Sequence, residues 1–311
     1  MIDIIIPLYN SKDTISKTLY SILLQKNLED LHVYLVDDAS DCSYEEILSF
    51  FSKKMDLHYY RLDKNSGPGV AREYGMEQSH SPYIVFCDSD DVFYDTFALK
   101  NLFDFTTKGK YDVSIGMVVE KFYNTINWYP VRFDVLHSKI YKRSFLQKKQ
   151  IVFPNFYNAE DLAFNNLVLM SGASVGCCNY DTVYAYVRRL GSLTQTHDYY
   201  DNKHIRCFVE SLKWSVSYAE DHSYPKENIA KNVMDSFAYL YFYFINDFHA
   251  KTIKYVISAI SIYDKYSSFM KKEDCADSLE YWMRYLDNKK HLSSFKEFIS
   301  FCHSKEGDNC D

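Results

Sequence analysis

Residues that interrupt regular structure are scarce in this sequence, and so are long apolar runs. Among its 311 residues there are only 9 glycines and 6 prolines, too few for a collagen-like repeat or a long flexible linker. The longest run of apolar and aromatic residues is 237–245, whereas a helix that crosses a bilayer needs about 20 such residues. No basic leader precedes the first apolar run, so we expect neither a transmembrane segment nor a signal peptide. The sequence therefore predicts a cytoplasmic protein, with peripheral docking at the inner membrane face as the alternative.

An excess of positive charge and paired cysteines are also lacking. The 35 basic residues are outnumbered by 42 acidic ones, which gives a net charge of −7 and a pI of about 5.8. A protein that binds the phosphate backbone needs a basic footprint, so we expect no nucleic-acid partner. None of the 8 cysteines forms a C-x-x-C pair, which argues against the common zinc sites and indicates reduced thiols.

Strand-like and helix-like segments alternate through the first 110 residues. Apolar and β-branched runs predict strands at 2–6, 31–36, 57–62 and 83–87. Capping residues and apolar periodicity predict helices at about 11–25, 44–53 and 70–78. This alternation predicts a Rossmann-like α/β fold, with a mostly parallel central sheet flanked by helices.

The pattern changes along the rest of the chain. Predicted strands at 113–119, 174–178 and 182–186 are mixed with predicted helices at 141–149 and 161–170. From residue 199 onward, helical periodicity dominates and turn residues are few. We therefore predict one domain over 1–198, with halves at 1–110 and 111–198, and a helical C-terminal region over 199–311. That region is a candidate for acceptor binding, for a homo-oligomer interface or for contact with a membrane surface.

Polar clusters follow three of the predicted strands. Tyr9 and Asn10 follow the first strand, Asp37 and Asp38 end the second, and 88–91 follows the fourth. In parallel sheets, ligands bind outside the carboxyl ends of the strands. The three clusters therefore predict one site at that edge of the sheet.

Two of these clusters are acidic. Asp88 and Asp90 are two positions apart, so on a strand they would share one face, where two carboxylates suit Mg²⁺ or Mn²⁺. The alternative is a solvated turn or a helix cap. Asp37 and Asp38 can accept hydrogen bonds from a nucleoside, and the alternative is a turn that ends the strand.

Two further segments have the composition of ligand-binding elements. The segment 65–72 places glycines and Arg72 at the start of a helix, where backbone N–H groups favour anions. Glu160 and Asp161 open a later helix. There they suit a general base, although the helix dipole alone favours acidic residues at this position.

Together these motifs resemble those of the family 2 glycosyltransferases with the GT-A fold. They read Ile-Pro-Leu-Tyr-Asn at 6–10, Val-Asp-Asp-Ala-Ser at 36–40, Asn-x-Gly at 65–67 with Ala-Arg at 71–72, Asp-Ser-Asp-Asp at 88–91, and Glu-Asp at 160–161. The resemblance covers about residues 1–195. Two positions depart from the family pattern, because Glu73 and Ser138 stand where relatives commonly have Asn.

The resemblance implies a role for each motif residue. Residues 1–110 would bind the nucleotide-diphosphate sugar and 111–198 would supply the acceptor side and the base. The implied donor-binding residues are Pro7, Tyr9, Asp37, Asp38, Asn65, Gly67, Arg72, Asp88 and Ser89, with Arg188 or Arg189 on the diphosphate. The implied ligands of Mn²⁺ or Mg²⁺ are Asp90, Asp88 and His197. Asp161 would be the catalytic base, with Glu160 beside it.

The resemblance also implies the reaction. It is the inverting transfer of a hexose or N-acetylhexosamine, with UDP as the favoured donor nucleotide, to a hydroxyl group. The acceptor would be a glycan, a glycoprotein or a lipid-linked molecule in bacterial surface glycan synthesis. Two alternatives remain open: a catalytically inactive relative that serves as an interaction subunit, and a nucleotidyltransferase.

Overall fold

The first strand of the chain lies inside a large sheet, with a parallel strand on either side, and most of its residues are apolar and buried. The computed structural model describes residues 1–28, 30–122, 125–129, 135–156, 158–187, 203–247, 253–283 and 291–305. The strands are β1 (Ile2–Leu8), β2 (Leu31–Asp37), β3 (Asp56–Arg61), β4 (Tyr83–Phe86), β5 (Val92–Phe93), β6 (Val113–Phe122), β7 (Thr125–Tyr129), β8 (Lys139–Lys142) and β9 (Val175–Val187). The helices are α1 (Ile15–Leu23), α2 (Glu45–Phe51), α3 (Pro68–Gln78), α4 (Ala98–Gly109), α5 (Arg143–Lys149), α6 (Glu160–Met170), α7 (His204–Asp221), α8 (Lys226–Asp247), α9 (Ile253–Ile257), α10 (Ile260–Ser267), α11 (Lys272–Met283) and α12 (His291–Lys305).

Two helices cover the two faces of β1. Ile4 and Ile6 belong to one apolar cluster with Ile15 and Leu19 of α1. On the other face, Gly75 of α3 lies so close to Ile5 that an added Cβ would be 2.5 Å from the isoleucine Cγ2. A strand buried on both faces reads as a continuous apolar run rather than an alternating one. This burial explains the run of isoleucines that predicted the strand.

The strand order across the described sheet is β3-β2-β1-β4-β8-β6-β9-β5, and β7 pairs with β6. The first four strands in this order are parallel, because helices connect them and a crossover returns the chain in the same direction. Beyond β4 the pairing is mixed: β8 is antiparallel to both neighbours, whereas β6 and β9 are parallel. The predicted α/β fold with a C-terminal helical region is confirmed, and its parallel part lies in the N-terminal half.

Two segments divide into elements differently from the sequence prediction. A helix was predicted from residue 141, but β8 occupies 139–142 and α5 begins at Arg143. Here pairing with β4 and β6 overrides the local helical pattern. Two strands were predicted at 174–178 and 182–186, but β9 is continuous, and Gly116 and Met117 of β6 pair with Cys178 and Thr182. The polar residues 179–181 therefore form a bulge.

The chain divides into two compact units. The first contains Met1–Asn165 and Ala173–Leu190, and the second contains Asn166–Gly172 and Gly191–Asp311. In the second unit, Phe237 and Tyr241 of α8 are buried. The Phe237 ring lies 5.0 Å from that of Tyr263, and the Tyr241 ring lies 5.5 Å from that of Phe298. Among the helices that the structure describes, none has both the length and the apolar character needed to cross a bilayer.

Candidate active site

The carboxyl ends of β1 and β2 are tied together by short polar contacts. Asn10 adopts a left-handed conformation with φ of 50°. Its backbone N–H donates to the Ser40 hydroxyl at 2.8 Å, and its Oδ1 accepts from the Asp41 backbone N–H at 2.8 Å. Pro7 is half-buried, whereas 48% of the Tyr9 side chain is exposed. The Tyr9 ring is therefore accessible to solvent just after β1, at the edge of the sheet where the sequence predicts the donor site.

Asp38 holds the glycine-containing loop before α3. Its Oδ1 accepts from the Ser66 backbone N–H and its Oδ2 from the Gly67 backbone N–H, both at 2.7 Å. Gly67 has φ of 93°, a value that favours glycine, and Pro68 follows at the first position of the helix. Burial raises the pKa of Asp38, although the two backbone hydrogen bonds act in the opposite direction. The residues predicted at 38 and 65–67 therefore meet, and Asp38 sets the shape of this loop.

Asp37, which was predicted as a donor-binding residue beside Asp38, is bonded to other parts of the protein. Its side chain is fully buried. The Oδ1 atom accepts from the Ser40 backbone N–H at 2.9 Å, and Oδ2 accepts from the Tyr59 hydroxyl and the Arg61 guanidinium. In this structure Asp37 acts as a turn residue: its buried carboxylate stabilises the loop after β2.

Arg72 connects the acidic turn with the start of α6. Its Nη2 donates to Asp88 Oδ1 at 2.7 Å and its Nη1 donates to Glu160 Oε1 at 2.8 Å. The Arg72 and Glu160 side chains are 7% and 8% exposed. Burial alone would lower the pKa of Arg72, but the charges of Asp88 and Glu160 outweigh burial and raise it. Arg72 therefore remains a fixed cation between the two sides of the candidate site.

Gly69 permits this arrangement. A Cβ atom added at Gly69 would lie 2.9 Å from the Cγ of Glu160 and 3.2 Å from the carbonyl oxygen of Pro154. Only a residue without a side chain lets the first turn of α3 approach Glu160 this closely. The glycines of 65–72 thus serve a close approach between two protein segments in addition to a turn.

Residues 88–91, which follow β4 after Cys87, form a turn rather than a strand. The Asp91 backbone N–H donates to the Asp88 carbonyl at 3.2 Å. We expected Asp88 and Asp90 to share one face of a strand, and this expectation is wrong because the segment is a turn. Both side chains are nevertheless partly exposed at that turn. Ser89 is buried and its hydroxyl donates to that of Ser11 at 2.7 Å, which joins the turn to the end of β1.

Asp91, the last residue of the turn, is fully buried. Its Oδ1 accepts from the Val187 backbone N–H at 2.7 Å, and its Oδ2 has no hydrogen-bond partner in the described part of the chain. Burial raises the pKa of Asp91 well above its ordinary value, and the negative charges of Asp88 and Asp90 raise it further. Burial and the two neighbouring charges therefore favour the protonated form of Asp91.

The residues at this turn fit a hard divalent cation. Carboxylate oxygens are the preferred ligands of Mg²⁺ and Mn²⁺, and a cation would relieve the repulsion that burdens Asp91. Asp88 and Asp90 would hold such an ion. Within the described residues, no group of three or more His, Cys, Asp and Glu side chains forms a preorganised metal centre. His197, the third predicted ligand, and Arg188 and Arg189 lie outside the described residues.

Asp161 follows Glu160 in the first turn of α6 and is half-buried. Its Oδ1 accepts from the Leu162 backbone N–H at 2.8 Å. Burial first and the charge of Asp161 second raise the pKa of Tyr141, and Asp161 also raises the pKa of Arg72. Asp161 thus lies within electrostatic range of Arg72.

An aromatic cluster fixes α6 against the strand that carries the acidic turn. Phe164 of α6 stacks on Phe153 with ring centroids 4.2 Å apart, and both rings meet Phe86 at the end of β4. Because Phe86 precedes Asp88 by two positions, this packing couples the position of the turn to that of α6. Interiors packed in this way resist displacement.

Several contributing residues were not predicted from the sequence. The Tyr184 hydroxyl accepts from the Asp88 backbone N–H at 3.0 Å, and no local motif marks Tyr184. Glu73 Oε2 accepts from the Phe153 backbone N–H at 2.8 Å. Its departure from the family pattern was the only signal for Glu73. A groove of about 660 Å³ beside α2 is lined by residues that include Tyr59 and Arg61, and neither Asp88 nor Asp161 lines it.

Comparison with known proteins assigns the family. A family model described as Glycosyl transferase family 2 matches residues 3–164. The chain therefore belongs to glycosyl transferase family 2, and the resemblance in the motifs is confirmed.

A named relative supports this assignment. The chain is 29% identical over 208 residues to a poly(ribitol-phosphate) beta-glucosyltransferase of Bacillus spizizenii, a match that covers 60% of this chain and 32% of that protein. The chain thus spans about a third of the length of this relative.

Two solved structures share the fold. The crystal structure of residues 1–349 of S. aureus TarS in complex with UDP-GlcNAc has a TM-score of 0.69 and 18% identity, covering 98% of this chain and 88% of that one. A mannosyltransferase of Pyrobaculum calidifontis in complex with GDP-Man and Mn²⁺ has a TM-score of 0.60 and 15% identity. The match covers 100% of this chain and 88% of that one. These similarities show the GT-A fold.

Proposed function

We propose that this protein transfers a hexose or N-acetylhexosamine from a UDP-linked donor to a hydroxyl of a bacterial surface glycan, with inversion and with help from a divalent ion. The family, the name of the B. spizizenii relative and the UDP-GlcNAc complex of TarS support the proposal. One observation of this structure carries it: buried Arg72 bridges Asp88 and Glu160, next to Asp161. In this proposal the enzyme acts in the cytoplasm, with peripheral docking at the inner membrane face as the alternative.

The donor half is assigned to residues 1–110. Exposed Tyr9 would stack on the nucleobase and Pro7 would line its pocket, while Asp37 and Asp38 hold the loops that surround it. The positive end of the α3 dipole, with Arg72 nearby, favours the negative charge of the diphosphate. Asn65, Gly67 and Ser89 complete this wall of the site.

Asp88 and Asp90 would hold Mn²⁺ or Mg²⁺. Such an ion, when bound, neutralises the charge that develops on the leaving diphosphate as the glycosidic bond breaks. The complex of the P. calidifontis mannosyltransferase with Mn²⁺ agrees with this choice. Arg72 adds a second, permanent positive charge, which orients Asp88 and limits the freedom of the acidic turn.

Asp161 is assigned as the general base. An inverting displacement needs a carboxylate that removes the proton of the acceptor hydroxyl as it attacks the anomeric carbon. Glu160 was expected beside it, but its Oε1 is bound by Arg72 and its side chain is 8% exposed. Glu160 is therefore a positioning residue, which leaves Asp161, half-buried at the same helix end, to accept the proton.

A donor screen tests this function. The full chain is heated with UDP-, GDP-, CMP- and dTDP-sugars, each with and without Mn²⁺, because a ligand of the native state raises the melting temperature by mass action. We expect a shift with UDP-sugars that Mn²⁺ increases, and release of UDP in the presence of an acceptor polymer. A cooperative melt without any donor shift would favour the inactive subunit. In a separate incubation with UTP and a sugar 1-phosphate, release of pyrophosphate would favour the nucleotidyltransferase.

A further inference from the structure

A second surface of the first unit has the composition of a glycan-binding surface. We call it the aromatic platform and define it by Tyr94, Phe97, Lys121, Ile126 and Trp128. Tyr94 and Phe97 belong to the loop after β5, Lys121 lies on β6, and Ile126 and Trp128 lie on β7. Trp128 is 54% exposed, Ile126 56%, Phe97 41% and Tyr94 36%. Exposed apolar side chains that cluster in this way mark binding surfaces more often than scattered ones do.

The platform is built from pairs of aromatic rings and cations. Tyr94 meets Trp128 edge-on with ring centroids 5.6 Å apart, and Lys121 Nζ lies 5.8 Å from the centre of the Tyr94 ring. Phe97 follows Tyr94 by three residues, and Lys26 Nζ lies 6.0 Å from the centre of the Phe97 ring. Both separations are typical of cation–π contacts. One four-residue loop therefore presents two aromatic rings, each with a lysine above it.

The loop is held firmly in place. The Tyr94 backbone N–H donates to the Val183 carbonyl at 3.0 Å, and the Lys26 backbone N–H donates to the Thr96 carbonyl at 2.8 Å. Asp95, the acidic residue of the loop, accepts from the Phe97 backbone N–H through Oδ1 at 2.7 Å. A binding surface with fixed side chains loses less conformational entropy when its ligand arrives.

Strand register connects the platform to the candidate active site. Lys121 pairs with Ile126 across β6 and β7, and with Val187 across β6 and β9. The Val187 backbone N–H is the donor to buried Asp91, and Tyr94 is three positions after Asp91 in the chain. The platform thus begins where the acidic turn ends.

We propose that the aromatic platform binds the body of the acceptor, and that this acceptor is a hydroxylated chain with regularly spaced negative charges. The proposal rests on the proposed function, because it assigns the acceptor of that same reaction. Aromatic faces pack against the C–H groups of sugars and polyols, while the two lysines attract phosphodiester or carboxylate groups. Lys26 and Lys121 outnumber the exposed Asp95 carboxylate of the same loop. This apolar surface therefore favours such a ligand, although the protein as a whole has a net charge of −7.

The test compares three polymers and three variants of the full chain. The probes are poly(ribitol phosphate), polygalacturonate and neutral dextran, and binding is measured by calorimetry at two salt concentrations. The variants are Trp128→Ala, Lys121→Gln and Tyr180→Ala, the last being a matched control because Tyr180 is 73% exposed on β9. Far-UV circular dichroism verifies that each variant is folded, and UDP-sugar hydrolysis without acceptor reports on the donor site.

We expect at least one anionic polymer to bind and dextran not to bind. Trp128→Ala should weaken binding about tenfold, and Lys121→Gln should weaken it and reduce its salt dependence. Neither change should alter donor hydrolysis, and Tyr180→Ala should alter nothing. The two anionic polymers distinguish phosphodiesters from carboxylates as the recognised charge.

Two results would overturn the platform: no binding of either anionic polymer, or equal binding by Trp128→Ala. If donor hydrolysis persists in those cases, the proposed function stands without the platform. If UDP-sugars neither bind nor hydrolyse while polymer binding still depends on Trp128, the platform stands as a binding surface and the proposed reaction fails.

Discussion

Arg72 donates a 2.8 Å hydrogen bond to Glu160 across 88 residues of chain. The same guanidinium donates to Asp88, so one buried cation joins the acidic turn to the helix that begins with Glu160 and Asp161. The proposed donor and base sides of the site are therefore held at a fixed distance before any substrate binds. Preorganisation of this kind removes the entropic cost of assembling the site during the reaction.

Loss of this ion pair should destabilise the fold and weaken the site together. Glu160→Gln leaves the charge of Arg72 less compensated, and breaking a buried pair typically costs about 3–5 kcal/mol. We expect a lower urea midpoint and lower activity at saturating donor. Lys265→Gln is the control, because Lys265 is 59% exposed in its pair with Glu220 and such pairs contribute about 0–1 kcal/mol. Equal stability of Glu160→Gln and the unmodified protein would contradict the structural role.

Replacement of the proposed base should separate chemistry from donor binding. Asp161→Asn cannot accept the acceptor proton, so kcat should fall by about 10²–10⁴-fold. The dissociation constant for UDP-sugar, measured by calorimetry, should stay unchanged, and the acidic limb of the pH–rate profile should disappear. Full activity of Asp161→Asn would show that another group is the base.

Replacement of the proposed metal ligand should shift the response to Mn²⁺. Asp90→Asn removes one carboxylate, and we expect the Mn²⁺ concentration that gives half-maximal activity to rise at least about tenfold. Asp63→Asn serves as the control because Asp63 is an exposed acidic residue outside the turn. An unchanged Mn²⁺ titration for Asp90→Asn would remove Asp90 from the metal site.

Glu73 should make stability depend on pH in the neutral range. Burial raises the pKa of Glu73 from 4.5 to about 7. The folded state therefore binds more protons than the unfolded state between these values, so stability falls as pH rises through that window. Glu73→Gln keeps an acceptor for the Phe153 N–H, and it should stabilise the protein at pH 8 by roughly 3 kcal/mol at most.

Urea denaturation at pH 8 and pH 4.5 measures this effect. At pH 4.5 the gain from Glu73→Gln should be small, because the folded protein already carries the proton. Glu297→Gln, an exposed replacement on α12, should give no gain at either pH. The prediction is wrong if Glu73→Gln has the same effect at both values.

Asp3 should stabilise the protein with a pH dependence opposite to that of Glu73, so that its contribution falls as the pH falls. Burial by itself would raise the pKa of Asp3, but hydrogen bonds from Ser81, together with His32 and Arg143, lower it below 3.8. The contribution is present above the unfolded pKa and is lost as pH falls through the lower folded value. Asp3→Asn should therefore cost about 3–5 kcal/mol at pH 7, and much less near pH 3.

Thermal and urea denaturation of Asp3→Asn at these two pH values tests the sign. Asp104→Asn is the control, because Asp104 pairs with Lys100 on the surface of α4 with 54% of its side chain exposed. A cost for Asp3→Asn that does not change with pH would mean that packing, rather than charge, explains it.

The sequence by itself determined the elements that are local in origin. The isoleucines of β1 are buried on both faces, and a strand buried in this way is mostly apolar, so its composition revealed it. The motif residues likewise follow strand ends, and parallel strands bring their carboxyl ends to one edge. The family and the GT-A fold were recognisable from these features.

Only the tertiary structure decided which partners these residues take. Glu160 looked like part of a catalytic pair, yet packing against Gly69 places its carboxylate on Arg72. Asp91 is held by Val187, which is 96 positions away. Such choices depend on which backbone segments approach each other and on which charges lose water. Local propensity contains no information about either, because both are set by the packing of the whole domain.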